Sequence, residues 1–282
     1  MRFFYCDSGL VGNLGHHANS ARMIVGELRR RGIDTRVMAH QHVHPDLVDE
    51  LGAEPWFDIN TYARVSDDPV CGWLLNFQAA AQVTHNNLVC LGAYADDIVY
   101  FNSAQAPQFS AMADLVKTYS APRAVLEFGV DPGLEVLDFV DDVPAKFNLP
   151  DPRQDARAVL YRYAAKMAGQ EALQRISLNT FEPWSSAAYS AILETPVGVL
   201  PVPREAYAPI LRRGGNGPIF VVGILGHQRG EKGWHLVPDI VTQVLRECQG
   251  VRFLLHNGDP EGWPPMQERV RELGRLYARV DV

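Results

Sequence analysis

One feature constrains this chain more than any other. Short apolar runs of β character alternate with segments whose apolar residues recur at helical spacing, from the first residues to the last. "MRFFYCDS" reads as a buried strand that runs into a glycine-rich turn, "GLVGNLGHHANS". Behind it Ala18, Ala21, Ile24, Val25 and Leu28 share one face of a helix over 18–31. Gly32 stands where a C-terminal cap glycine belongs. "DTRVMAH", "DDIVYFNS", "PRAVLEFG", "ISLNTF" and "PVGVLPVP" predict further strands. Helices are predicted over 70–91, in "QFSAMADLVKTY", over 153–174 and in "PWSSAAYSAIL". In the first of these, Trp73, Leu74, Phe77, Ala81, Leu88 and Leu91 form a stripe that reads as core. Residues 130–151, with their prolines, glycines and acids, read as an irregular connection. Such alternation predicts an α/β fold, a mostly parallel sheet with helices on both faces.

The alternation breaks once. "PVPREAYAPILRRGGNGP" (201–218) is rich in proline and glycine and reads as a linker. After it come a strand "IFVVGIL", a helix from Trp234, a strand "VRFLLH", a helix from Met266 and the start of another strand, "ARVDV". The expected organisation is therefore a first Rossmann-like domain over 1–200, the linker, and a second over 219–282. A length of 282 residues agrees with two lobes. A doubly wound domain needs about five strands, so the second is expected to be incomplete in this chain.

Composition removes several function classes. A net charge of −7 provides no basic field for wholesale nucleic-acid binding. Cys6, Cys71, Cys90 and Cys248 have no CxxC spacing, so neither a zinc site nor a disulfide framework is indicated. No run approaches the ~18 apolar residues of a membrane span, and the N-terminus lacks the pattern of a signal peptide. The expected compartment is the cytoplasm, with no integral membrane segment. "HQHVH" places His40, His42 and His44 on one face if extended, a possible zinc set. Its position after a strand and before "PDLVDE" favours a solvated loop instead. No GxSxG or His-Glu-x-x-His supports a hydrolase or a zinc protease. No metal or cofactor is expected.

Two glycine-rich loops each follow a strand and open a helix, where free backbone amides and the helix dipole favour anions. The first carries Gly9, Gly12 and Gly15 and then His16 and His17. Its spacing departs from G-x-G-x-x-G, and the second strand ends "VMAHQH" without the acidic residue a nicotinamide cofactor needs. Asn19 or Ser20 is placed to cap the following helix. The second loop, in "VVGILGHQRGEKGWHLVPDIV", carries Gly226, Arg229, Lys232 and Gly233, with His227 among them. Its two cations suit a diphosphate. Glu182 and Trp184 follow a strand end, where the indole suits either a sugar platform or packing at a domain seam. For both loops the alternative is an ordinary turn.

"VVGILGHQRGEKGWHLVPDIV" resembles the entry to the second domain of GT-B-fold glycosyltransferases, in particular the retaining glycosyltransferase family 4 (group 1). "GLVGNLGHHANSARMIVGELRRRGIDTRVMA", "DDIVYFNS" and "ISLNTF…VGVLPVP" are similar, in the same order, to the family's first lobe. The resemblance covers nearly the whole chain and implies a two-lobed GT-B fold. It also implies a nucleotide-sugar donor bound mainly by the second lobe, as substrate rather than cofactor, and a carbohydrate or lipid-linked acceptor bound by the first. Lys232 matches the family's lysine; Ile224 stands where its arginine is usual, and Arg229 is the candidate to supply that charge. Gly12 and Gly15 match the loop that closes over the diphosphate, and Gly226 and Gly233 flank the basic pair. His16 and His17 are the candidate catalytic residues. The family's strand histidines are replaced near Phe101 and Asn102 and at Phe128-Gly129. Its pair of donor-binding glutamates is expected beyond residue 282, so little turnover is expected of this chain alone. Two alternatives stand beside the transferase. A non-catalytic GT-B-like binding or scaffold protein is favoured by the missing histidines. A nucleotide-sugar epimerase would need carboxylates and a histidine together, a set the sequence does not assemble.

Overall fold

Runs such as "FFYCD" and "IVYFNSA" bury both faces, which is what a central strand of a parallel sheet requires. The computed structural model describes residues 1–118, 120–129, 132–140, 143–201, 220–224, 233–257 and 264–282. The chain divides into two units, Met1–Ala206 and Tyr207–Val282. Apart from Pro201, the expected linker at 201–218 lies outside the described residues.

The first unit runs β1 (Phe3–Asp7), α1 (His16–Arg30), β2 (Thr35–His40), α2 (Pro45–Leu51), β3 (Ala53–Phe57), α3 (Gly72–Cys90), β4 (Ile98–Ala104), α4 (Ala106–Val116) and β5 (Arg123–Phe128). It continues with β6 (Glu135–Val140), β7 (Val143–Asn148), α5 (Arg157–Gln174), β8 (Ile176–Thr180), α6 (Pro183–Leu193) and β9 (Gly198–Val199). Seven strands form one parallel sheet in the order β3-β2-β1-β4-β5-β8-β9. Alternate side chains of each strand enter different cores. On one face Phe4, Cys6, Phe101, Leu126 and Phe128 pack with α3, α4, α5 and α6. On the other, Tyr5, Val37, Ala39 and Tyr100 pack with α1 and α2. Each large apolar side chain fully removed from water contributes about 1.5–3 kcal/mol, so these layers fix the strand order. The chain lays β2 and β3 on one side of β1 and then crosses to β4 on the other. The carboxyl ends of β1 and β4 therefore flank a topological switch point, where open α/β sheets bind ligands.

Two expectations need correction. Residues 130–151 are not irregular throughout: β6 and β7 pair as an antiparallel hairpin. Its first strand is mostly exposed and its second contains Pro144, so no buried run announced it. Strand β3, "AEPWF", was hidden by Pro55, which is tolerated because β3 is an edge strand. In the 70–91 stripe Phe77, Leu88 and Leu91 are buried as expected, with Gly72, Ala80 and Thr84 buried beside them; Trp73, Leu74 and Ala81 are half-buried.

The second unit has a three-stranded parallel sheet, β10 (Phe220–Ile224), β11 (Val251–Leu255) and β12 (Val280–Asp281). A short 3-10 turn, Trp234–Leu236, leads into α7 (Val237–Glu247), and α8 is Pro264–Leu276. Trp234, Val241, Leu245, Phe253, Leu255, Met266 and Val270 form its core. Both units are Rossmann-like in their βα order.

Candidate functional site

Asp7 ends β1 with no exposed surface. A buried carboxylate is tolerable only with its lone pairs satisfied, and three donors converge on it. The Gly9 amide donates to Oδ1 at 2.9 Å, Asn102 Nδ2 to Oδ2 at 2.7 Å, and His17 Nδ1 lies 2.9 Å from Oδ2. Asn102 comes from β4, next to β1. Two residues earlier on the same face, the Tyr100 hydroxyl donates to Glu127 Oε2 at 2.5 Å, at the end of β5. A row of buried polar groups thus crosses the carboxyl ends of β1, β4 and β5. Burial raises the Glu127 carboxyl above its ordinary value; Asp7 adds to the rise and the Tyr100 hydrogen bond opposes it. Tyr100 is raised by burial first and then by Glu127. The buried Tyr5 hydroxyl has no hydrogen-bond partner among the described residues.

The backbone is bent to present this row. Ser103 adopts φ 52°, and the pairing of β4 with β5 shifts between Phe101 and Ala104. A Cβ at position 129 would lie 2.7 Å from Ser103 Cα, so the close approach of the two strands requires Gly129. Phe128 is fully buried and stacks on Tyr189 with centroids 4.4 Å apart, while Phe101 packs on Phe57. Where the resembled family has histidines, this chain therefore has core aromatics. Asn102, next to Phe101 in β4, instead carries its side chain to Asp7.

Of the residues singled out in the first loop, this row holds Gly9, through its amide, and the side chain of His17. It is buried in the first turn of α1, its Nδ1 on Asp7 and its Nε2 3.3 Å from the Tyr62 hydroxyl. The Gly9 backbone lies against the ring: a Cβ there would be 2.4 Å from Cε1 and 2.7 Å from Nε2. His16 is exposed, and its ring centroid is 4.0 Å from that of His17. Gly15, at φ 90°, precedes α1 in a conformation that suits glycine; no side chain caps the helix, which corrects the expected Asn19 or Ser20 cap. Both of those residues lie inside the helix, where the Asn19 amide donates to the Gly15 carbonyl. Space around Gly12 is open. Tyr62 is set by its loop, where Thr61 and Ser8 hydroxyls meet at 2.6 Å and the Tyr62 amide donates to Asn60 Oδ1 at 2.9 Å.

Of the second loop, Gly226, His227, Arg229 and Lys232 lie outside the described residues. Gly233 has φ 76° and opens the turn that leads into α7. Elsewhere, His40 Nδ1 accepts from the His42 amide and His44 Nδ1 accepts from the Asp46 amide as the cap of α2. Burial, then the neighbouring His42, lowers the His40 pKa. Among the described residues no three His, Cys, Asp or Glu side chains stand together as a metal site. Glu182 accepts from the Ser185 hydroxyl at the entry to α6, with Trp184 half-buried beside it. No helix among the described residues is long and apolar enough to cross a membrane.

The chain matches no family model and no curated protein. Its whole length aligns with solved structures. A structure of S. aureus MnaA with UDP matches at 11% identity and a TM-score of 0.51, with 68% of that chain covered. The E. coli structure described as trehalose-6-phosphate bound with UDP-2-fluoro glucose matches at 12% and 0.50, with 73% covered. The apo structure of OtsA matches at 11% and 0.52, with 73% covered. At such identities the likeness is one of fold, and the fold is the GT-B type.

Proposed function

We propose that this chain acts as a glycosyltransferase that moves a sugar from a nucleotide diphosphate to a hydroxyl of a carbohydrate or lipid-linked acceptor in the cytoplasm. The observation that carries the reading is the shared fold, whose solved examples include one with UDP and one with UDP-2-fluoro glucose. The polar row at the switch point of the first unit supports it. Asp7 accepts a hydrogen bond from the Nδ1–H of His17, which keeps its proton there and leaves Nε2 as an acceptor. That nitrogen would take the proton of the acceptor hydroxyl as its oxygen bonds to the anomeric carbon. The bond from that carbon to the diphosphate breaks, and its electron pair leaves on the diphosphate oxygen. Arg229, Lys232 and the amides of the loop at Gly226 and Gly233 would hold the departing charge, and the glycine-rich loop at Gly12 and Gly15 would present its own amides to an anion. His16 would serve beside His17. The chemistry needs no metal or cofactor in this reading.

A second reading draws on one observation. Asp7 and His17 pair directly and Glu127 is joined to them through Tyr100 and Asn102, carboxylates and a histidine such as a nucleotide-sugar epimerase would use for proton transfer. Proton NMR of UDP-sugars incubated with the protein separates the two. Slow release of UDP and free sugar supports the transferase. An epimeric nucleotide sugar with its diphosphate intact replaces it with the epimerase. Binding without either product is what the low turnover expected of this chain alone would give, and it favours neither enzyme over a non-catalytic protein.

A further inference from the structure

Tyr100 has one hydroxyl proton and two acceptors within reach. Its oxygen lies 2.5 Å from Glu127 Oε2 and 3.4 Å from Asn102 Oδ1. The Asn102 amide is not free to turn over, because Nδ2 donates to Asp7 Oδ2 at 2.7 Å. Oδ1 therefore faces the phenol as an acceptor. With Glu127 ionised, the phenol proton sits on the carboxylate, and Oδ1 faces an oxygen with no proton left to give. Asn102 is 2% exposed, so water does not replace the missing donor. With Glu127 neutral, the acid proton goes to the phenol oxygen and the phenol proton turns to Oδ1. Hydrogen bonds then run in one direction from Glu127 through Tyr100 and Asn102 to the Asp7 carboxylate, where His17 also donates.

We propose that Glu127 is a positioning residue for His17 and acts as a neutral acid, holding Asn102 on Asp7, and Asp7 on the imidazole, through the phenol of Tyr100. Its surroundings favour the neutral form. Glu127 meets the fields of Asp7 and Tyr5 on β1 and of Tyr100 on β4, and its β8 neighbour in register is the uncharged Asn179. Of these Asp7 is the charged one, and it repels a second carboxylate in the same buried row. Among the described residues no cation pairs with Glu127. The importance of this alignment for catalysis rests on the reading of His17 as the base that takes the acceptor proton.

The test is NMR of the full chain as pH is varied, with 13C following the Glu127 carboxyl and 15N following the Asn102 side-chain amide. The 15N shifts of His17 report its own titration separately. In wild type the Asn102 signal should inflect at the pH where the Glu127 carboxyl titrates. Glu127→Gln, which has no proton to lose there, should lose that inflection. In Tyr100→Phe the carboxyl should still titrate, and Asn102 should no longer follow it. A wild-type Asn102 signal that ignores the Glu127 titration overturns the relay. So does an inflection of equal size in Tyr100→Phe, which would report charge acting through space, or one that persists at the same pH in Glu127→Gln. No substrate enters this experiment, so its failure and a failure of the transferase reading are told apart.

Discussion

Two buried carboxylates respond to pH in opposite senses, and the contrast separates a structural ion pair from the candidate site. Hydrogen bonds from Arg2 hold Asp97 down at about 2. A lowered folded pKa contributes stability that is present above the ordinary aspartate range and lost as pH falls toward the folded value. Glu127 is raised by burial, so its contribution is favourable below the ordinary glutamate range and is lost as pH rises through the folded value. Urea midpoints between pH 3 and 8 should therefore show Asp97→Asn falling further behind wild type as pH rises from the acid end. Glu127→Gln should gain on wild type over the same rise. Parallel curves for the two variants would contradict the assignment. Of the site itself, the sequence made His16, His17, Gly12 and Gly15 visible because a glycine-rich loop announces them. Asp7, Asn102 and Glu127 were not visible as a site, because each lies toward the carboxyl end of a strand that reads as a buried apolar run. The signal available was a polar residue at the carboxyl end of such a run, where open sheets bind ligands. Tyr62 gave no signal at all, since its loop has no periodicity.

At the scale of elements, the meeting of the β1 turn with α1 decides whether the site assembles. A Cβ at Gly9 would lie 2.4 Å from the tip of the His17 ring, which can rotate aside where a backbone atom could not. Gly9→Ala should leave the fold intact and break the contact between His17 and Asp7, at a cost of about 1–3 kcal/mol for a carboxylate that loses one partner. A crystal structure of the variant with His17 still on Asp7 would contradict this. Elements with a clear period were legible, including α1, β4, α7 and β11. Hairpin β6–β7 and edge strand β3 were not, because Pro144 and Pro55 interrupt strands that the sheet edges tolerate.

At the scale of the whole molecule, each unit buries a core of its own. The domain limits proposed from the sequence, 1–200 and 219–282, predict that limited proteolysis cuts first within 204–217. Earlier nicking inside either domain would contradict them. The chain spans 68–73% of the GT-B structures described above, and the fold class was legible because strand and helix alternation is a global pattern that single misread elements do not disturb. The central claim is that a nucleotide diphosphate sits on the loop of Arg229 and Lys232. Calorimetric titration of UDP and of uridine into wild type and Lys232→Ala, with circular dichroism to establish folding, tests it most directly. A charge-assisted contact contributes about 1.5–3 kcal/mol, so the variant should bind UDP about 10- to 150-fold more weakly. Uridine, which has no phosphate for the lysine to hold, should be nearly indifferent. Equal UDP affinity in the wild type, Lys232→Ala and Arg229→Ala would contradict the account.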